Sequence, residues 1–135
     1  MAPMVCRRTR TLVSPKVSDV AVAFVLGSAN TLSGDLAAAY SMVPTPDTII
    51  AVNSAGMDYG GVLPHFCTLH TEKIVGWLDA RRNRGLPDPE NFWTSNIKEL
   101  PPSITFRRVP SWDGSSGLLA VTVALYMGYD KVVLC

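Results

Sequence analysis

The sequence predicts an α/β protein, a three-layer sandwich in which a mostly parallel sheet of about five strands lies between helices. The chain has 135 residues, which favours a single domain. The runs at residues 20–26 and 48–52 are short, almost entirely apolar and without alternation, as expected of strands buried on both faces. Helical patterns separate these runs from later strands, and strands that alternate with helices form parallel sheets.

The predicted domain spans residues 19–135. Its five strands are placed at residues 20–26, 48–52, 66–69, 104–109 and 131–134. Ser33 is a suitable N-cap for a first helix over residues 34–40. A second helix begins near the cap residue Thr71 and continues to about Arg82, and a third follows Gly117. These elements follow one another in the order expected of a parallel sheet with helical crossovers.

Two further segments complete the organisation. Residues 83–102 contain four prolines and are predicted to form a loop, with at most a helical turn near Phe92 and Trp93. Residues 1–18 are predicted to be a basic, poorly ordered arm. The arginines of this arm imitate the start of a signal peptide, but Pro15 and Lys16 interrupt the pattern.

The composition excludes several classes of protein. The hydrophobic fraction is 47% and the charged fraction 17%, which is typical of a globular chain. The net charge of +1 does not favour nucleic acid as a partner. No apolar run approaches the roughly 20 residues of a membrane-spanning helix. Cys6, Cys67 and Cys135 are far apart and form no CxxC, which favours reduced thiols in a cytoplasmic protein over a disulfide framework or a metal site.

Three loops follow predicted strands or open predicted helices, at residues 27–33, 53–59 and 112–117. Open parallel sheets bind ligands beyond the carboxyl ends of their strands, so these loops are the candidate binding segments. The first contains Gly27, Ser28 and Asn30, at a position where backbone N–H groups could meet a phosphate. Its sequence matches neither GxGxxG nor GxxxxGK[ST], and an ordinary strand–helix turn is the alternative.

Asn53 directly follows the second strand and is predicted to face the same cleft. An Asx turn is the alternative, because Ser54, Ala55 and Gly56 favour a turn. Gly56, Gly60 and Gly61 suggest mobility in the segment that follows.

The last loop gives the strongest local signal. Ser115 or Ser116 can cap the following helix, and Gly117 allows a ligand to approach its first turn. Residues 118–127 are apolar nearly all round, which predicts a buried helix whose N-terminal N–H groups face the cleft. The GSSG sequence is not GxSxG, so serine hydrolase chemistry is not favoured.

The histidines and the arginine cluster are ambiguous. His65 and His70 bracket the third strand, and their spacing does not predict a metal site. His70 at a strand end is a candidate catalytic base, with a structural histidine as the alternative. The cluster at residues 81–84 ends the second helix and is interpreted as solvated side chains that stabilise the negative end of the helix dipole.

Three blocks of the chain together resemble one family. Ser116-Gly117, the small residues of the helix and the segment 127–134 (MGYDKVVL) resemble the "SG…A…A…LGY…I-x-L" block of the bacterial lipooligosaccharide sialyltransferases of Campylobacter and Haemophilus. A related block occurs in the MptE-like pterin diphosphokinases and in uncharacterised phage and bacterial proteins. The loop that starts at Gly27 resembles their "G-x-GPS-L" loop, and Asn53 resembles their strand-end asparagine.

The resemblance implies a Rossmann-like domain that binds a nucleotide, CMP or a CMP-sugar, and no further cofactor. Carried over, the nucleotide-binding residues would be Gly27, Ser28, Asn30, Asn53, Ser115, Ser116 and Gly117. The GPS triplet is replaced by GSAN here. The family's lid and histidine base follow the last strand. The resemblance therefore implies either a domain truncated at its C-terminal end and completed by a longer chain, or a reduced relative that has lost the chemistry. A homo-oligomer is a further partner to expect.

Three functions remain open at this stage. The first is a CMP-sugar glycosyltransferase that uses His70 as base. The second is a non-catalytic nucleotide-binding or sensing module with the same residues. The third is a phage-type structural or interaction protein in which the loops are only turns.

Overall fold

The computed structural model describes residues 20–96, 98, 100–110 and 114–135. Six parallel strands form one sheet in the order β5-β4-β3-β2-β1-β6. The strands are β1 Val22–Leu26, β2 Thr48–Val52, β3 His65–Cys67, β4 Asn91–Thr94, β5 Phe106–Arg108 and β6 Lys131–Leu134. The helices are α1 Leu32–Met42, α2 Ala55–Asp58, α3 Ile74–Asn83 and α4 Ser116–Tyr126, with a 3₁₀ turn at Thr71–Lys73. The predicted α/β sandwich with a parallel sheet is confirmed.

The sheet has an apolar layer on each face. Alternate residues of β1 and β2 point to opposite sides, because successive side chains of a strand do so. Phe24 and Ile49 pack with α1, α2 and α3, whereas Val25 and Ile50 pack with α4. All residues of β1 and β2 are buried, as their continuous apolar runs predict.

The strand order reverses once. The chain proceeds from β1 to β5 in one direction across the sheet and then returns, so that β6 pairs with the other side of β1. The switch point therefore lies between β1 and β6. Because every strand is parallel, the six carboxyl ends lie along one side of the sheet, which we call the carboxyl edge.

The sequence analysis missed the strand β4 and the short helix α2, which lies in the predicted loop at residues 53–59, and it placed the start of α1 two residues too late. β4 lies in the segment predicted to be a loop, and it pairs with β3 and β5. The sheet therefore has six strands rather than five. Helix α1 starts at Leu32, with Thr31 rather than Ser33 at its N-cap position. The predicted arm over residues 1–18 lies outside the described residues.

The last helix and strand are less buried than predicted. One side of α4 is buried through Leu119 and Val123, but Leu118 and Leu125 on its other side are more than half exposed. β6 is an edge strand in which Leu134 is 69% exposed. None of the described helices combines the length and the apolar character needed to cross a bilayer.

The arginine cluster at residues 81–84 was interpreted as solvated, and for Arg81 this interpretation is wrong. Its side chain is fully buried and donates four hydrogen bonds to backbone carbonyls. The acceptors and distances are Pro87 O (2.6 Å), Gly56 O (3.2 Å), Tyr59 O (2.6 Å) and Gly61 O (2.6 Å). The guanidinium therefore holds the segment after α2 and the segment before β4 against α3. Arg82, in contrast, is exposed and pairs with Asp88.

Replacing Arg81 with Met should lower the free energy of unfolding by about 3 kcal/mol, because four carbonyls lose a charged donor. Urea denaturation followed by circular dichroism measures this change. Arg82→Met is the matched control, and it should shift the urea midpoint far less because its ion pair is exposed. Equal midpoint shifts for the two variants would contradict the structural role of Arg81.

Gly56, which the sequence analysis placed in a mobile segment, is tightly packed against β3. The residue is buried in α2, and a Cβ atom placed on it would overlap the ring of Phe66. Gly56 N also donates to Asn53 O (3.0 Å). The short helix therefore lies directly on β3, and only a glycine permits this approach.

Gly56→Ala should lower the free energy of unfolding by about 2 kcal/mol, since the added methyl group must displace the Phe66 ring from a filled core. Gly60→Ala is the control, because a Cβ atom there meets no atom within 4 Å. A thermal melt of both variants beside the wild type tests the difference. A Gly56→Ala protein as stable as the Gly60→Ala protein would contradict this packing.

Candidate functional site at the carboxyl edge

Asn53 occupies a strained position at the end of β2. Its φ angle is 54°, in the left-handed region that asparagine tolerates better than most residues. Its backbone N donates to Cys67 O (3.3 Å), which anchors it to the end of the neighbouring strand β3. In the Asx-turn alternative the Asn53 side chain would accept a hydrogen bond within its own turn. In the structure Asn53 Oδ1 accepts from the hydroxyl of Thr68 instead.

Thr68 connects β2 to the residues that follow β3. Its hydroxyl donates to Asn53 Oδ1 (2.7 Å) and accepts from the backbone N of His70 (2.8 Å). Its own backbone N donates to Trp93 O (3.1 Å) in β4. The side chain is fully buried, so these contacts are shielded from water.

The N-terminus of α4 lies beside the same residues. Ser116 Oγ accepts from the backbone N of Leu69 (2.9 Å), and the Ser116 side chain is almost completely buried. Ser115 is the N-cap, and its Oγ accepts from Leu118 N (3.2 Å). Of the two capping alternatives the structure selects Ser115, while Ser116 fixes the helix to the end of β3.

A further group of polar residues at this edge was missed by sequence reasoning. Asn96 Nδ2 donates to Leu69 O (3.2 Å), and Asn96 N donates to Thr94 Oγ1 (3.0 Å). Thr94 is fully buried at the end of β4. A polar residue at or just after the end of a strand could have indicated these residues. This signal was lost because β4 was predicted to be a loop and Thr68 was placed inside a strand.

The first loop follows β1, which pairs with β2 on the side away from β3. Gly27 N donates to Cys135 O (2.7 Å), and a Cβ atom on Gly27 would stand 3.3 Å from that oxygen. Ser28 and Asn30 are exposed, and Leu32 N donates to Ala29 O (3.1 Å). This loop is therefore at the switch point between β1 and β6.

The predicted site residues thus form two groups along the carboxyl edge. Hydrogen bonds through Thr68 and Leu69 connect Asn53 with the α4 end, which carries Ser115, Ser116 and Gly117. The second group comprises Gly27, which is bonded to Cys135 after β6, and the exposed residues Ser28 and Asn30. The two groups follow neighbouring strands, since Asn53 follows β2 and Gly27 follows β1, and neighbouring strands are about 4.8 Å apart.

His70 lies beside the first group with its imidazole exposed. The ring Nδ1 is 3.8 Å from Glu72 Oε2, and both side chains are about half exposed. The backbone of His70, rather than its ring, participates in the described network, through Thr68. The ring is thus available to a ligand at this edge.

The described polar groups at the carboxyl edge can donate hydrogen bonds, which suits them to binding neutral or anionic groups. The network consists of hydroxyl, amide and backbone groups, and no group of three or more His, Cys, Asp or Glu side chains among the described residues could hold a metal ion. Cys67 is fully buried, and this burial raises the pKa of its thiol, so it is not a reactive thiolate. The nearby N-terminus of α4 favours negative charge.

The chain was compared with known proteins. No protein-family model matches it, and neither the curated proteins nor the solved structures give a significant match.

His65, at the start of β3, is a structural histidine. Trp93 Nε1 donates to His65 Nδ1 (3.0 Å), so that nitrogen carries no proton. Burial, and secondarily the positive charge of Arg107, lower the pKa of His65 from 6.5 to about 4. This histidine is therefore neutral at physiological pH.

The protein should lose stability as the pH falls from about 6.5 to about 4. In this range the unfolded chain binds a proton at His65 that the folded chain does not, so acid favours unfolding. Melting temperatures across the range measure the effect. His65→Gln keeps an acceptor for Trp93 but does not titrate, and its pH profile should be flatter. Superimposable profiles for the two proteins would contradict this role for His65.

Proposed function

We propose that this protein is a nucleotide-binding domain whose ligand, CMP or a CMP-sugar, lies along the carboxyl edge. The observation that carries the proposal is the position of Asn53. It stands at the end of a central parallel strand, beside the capped N-terminus of an 11-residue helix. Parallel sheets commonly bind nucleotides at such strand ends.

The helix terminus supplies the anion-binding part of this proposal. The first N–H groups of a helix have no partner within it, and the aligned peptide dipoles favour negative charge there. The hydrogen bond from Leu69 N to Ser116 Oγ holds this end against β3. A phosphate could therefore be bound without a basic side chain.

The loop after β1, which lies at the switch point, favours the proposal of a ligand that extends along the carboxyl edge. Gly27, Ser28 and Asn30 follow β1, one strand away from Asn53. The distance from β1 to β3 is two strand spacings, about 10 Å, which a nucleoside phosphate can span. The order of these blocks along the chain, together with their resemblance to sialyltransferases, favours glycosyl transfer as the reaction. His70 is the proposed base because its ring is about half exposed and its backbone is bonded to Thr68, the partner of Asn53.

Binding of CMP should raise the melting temperature in proportion to the logarithm of its concentration above Kd. Calorimetric titration of CMP, CDP, UDP, ATP and GTP then gives the order of affinity. Asn53→Gly tolerates the positive φ angle and removes the side chain, so it should weaken CMP binding about tenfold.

Asn83→Gly is the matched control, because Asn83 is exposed at the end of α3, away from the carboxyl edge. It should leave CMP affinity unchanged. The absence of a thermal shift with any nucleotide at millimolar concentration would contradict nucleotide binding. Equal affinity of wild type and Asn53→Gly would show that the ligand binds elsewhere.

A non-catalytic nucleotide-binding module is the second candidate. It is favoured by the neutral character of the described network, in which Asn53, Thr68 and Ser116 have no acid–base function at neutral pH. Incubation with a CMP-sugar and analysis of the products separates the two candidates. Release of CMP that is lost in His70→Gln supports the enzyme, and binding without release supports the module.

A further inference from the structure

We propose that Thr68 is a positioning residue that makes Asn53 act only as a hydrogen-bond donor toward the ligand. This inference rests on the proposed function, since it concerns the same edge. It defines the chemical class of the group bound by Asn53 as an acceptor: a base carbonyl or ring nitrogen, a sugar oxygen or a phosphate oxygen.

The two hydrogen bonds of the Thr68 hydroxyl have a fixed direction. The backbone N–H of His70 can only donate, so the Thr68 oxygen accepts from it. The hydroxyl proton then needs an acceptor of its own, because the side chain is fully buried. Asn53 Oδ1 at 2.7 Å is the acceptor that the described residues provide.

The Thr68 hydroxyl fixes the orientation of the Asn53 amide. If the amide were reversed, its NH₂ group would face the Thr68 oxygen, and the buried hydroxyl proton would lose its acceptor. Such an unsatisfied buried donor is costly. The amide is therefore fixed with its oxygen toward Thr68 and its NH₂ group remaining for other partners.

The backbone of Asn53 is held in place as well. Asn53 has a φ angle of 54°, and its N donates to Cys67 O while its O accepts from Gly56 N. Both backbone groups are thus in use, and the side chain starts from a defined direction. Asn53 is only partly buried, and because its backbone N and O and its Oδ1 are already engaged, the NH₂ group is the part left for a ligand.

The test uses CMP as the probe and compares wild type with Thr68→Val, Thr68→Ser and Asn53→Asp. Thr68→Val removes the hydroxyl at nearly constant shape, and CMP affinity should fall about tenfold because the amide is free to reverse. Thr68→Ser keeps the hydroxyl and should bind within threefold of wild type. Asn53→Asp still accepts from Thr68 but presents an oxygen to the ligand, and should bind CMP at least tenfold more weakly.

A ligand-free measurement separates this inference from the proposed function. Hydrogen bonding to an amide oxygen changes the ¹³C shift of its carbonyl carbon, so the Asn53 Cγ resonance should move in Thr68→Val and stay near its wild-type position in Thr68→Ser. A wild-type protein that binds no CMP contradicts the proposed function. An Asn53 Cγ resonance unaffected by Thr68→Val overturns the positioning role, as does unchanged CMP affinity in a folded Thr68→Val protein.

Discussion

The two fully buried strands, β1 and β2, must be covered on both faces, and the positions of the other elements follow from this constraint. Their side chains are buried throughout, so helices are needed above and below them. Helices α1 to α3 cover one face while the chain advances to β5, and α4 covers the other as it returns to β6. The return reverses the strand order beside β1 and brings the N-terminus of α4 to the carboxyl edge.

The amino ends of β3 and β4 are held by the buried guanidinium of Arg81, whose hydrogen bonds among the described residues all go to backbone carbonyls. Arg81 donates to carbonyls in the segment that leads into β3 and to Pro87, ahead of β4. A buried charge is tolerated only when it is satisfied, and a guanidinium with several N–H donors can be satisfied by carbonyl dipoles alone. These contacts position the starts of two strands whose ends carry Thr68 and Thr94. The geometry of the carboxyl edge is thus also set from the amino ends of its strands.

The parts of the fold that sequence reasoning predicted are those determined by local pattern. β1 and β2 are continuous apolar runs, and the cap at Ser115 is a local hydrogen bond within one turn. β4 could not be predicted in this way, because Asn91 and Thr94 frame only two apolar residues and the strand is specified by pairing on both sides. The burial of Arg81 depends on carbonyls as many as 25 residues away, which periodicity does not reveal.

The same distinction explains why Asn53 was predicted and Thr68 was not. An asparagine after an apolar run is visible in the sequence, whereas the partner that orients it is set by strand register. In the β2–β3 pair Val52 lies opposite Cys67, so the next residues along, Asn53 and Thr68, come side by side. A slip of one residue would turn the Thr68 side chain to the other face. Sheet register therefore determines which end of the Asn53 amide is left for a ligand, and so links the packing of the core to the polarity of the carboxyl edge.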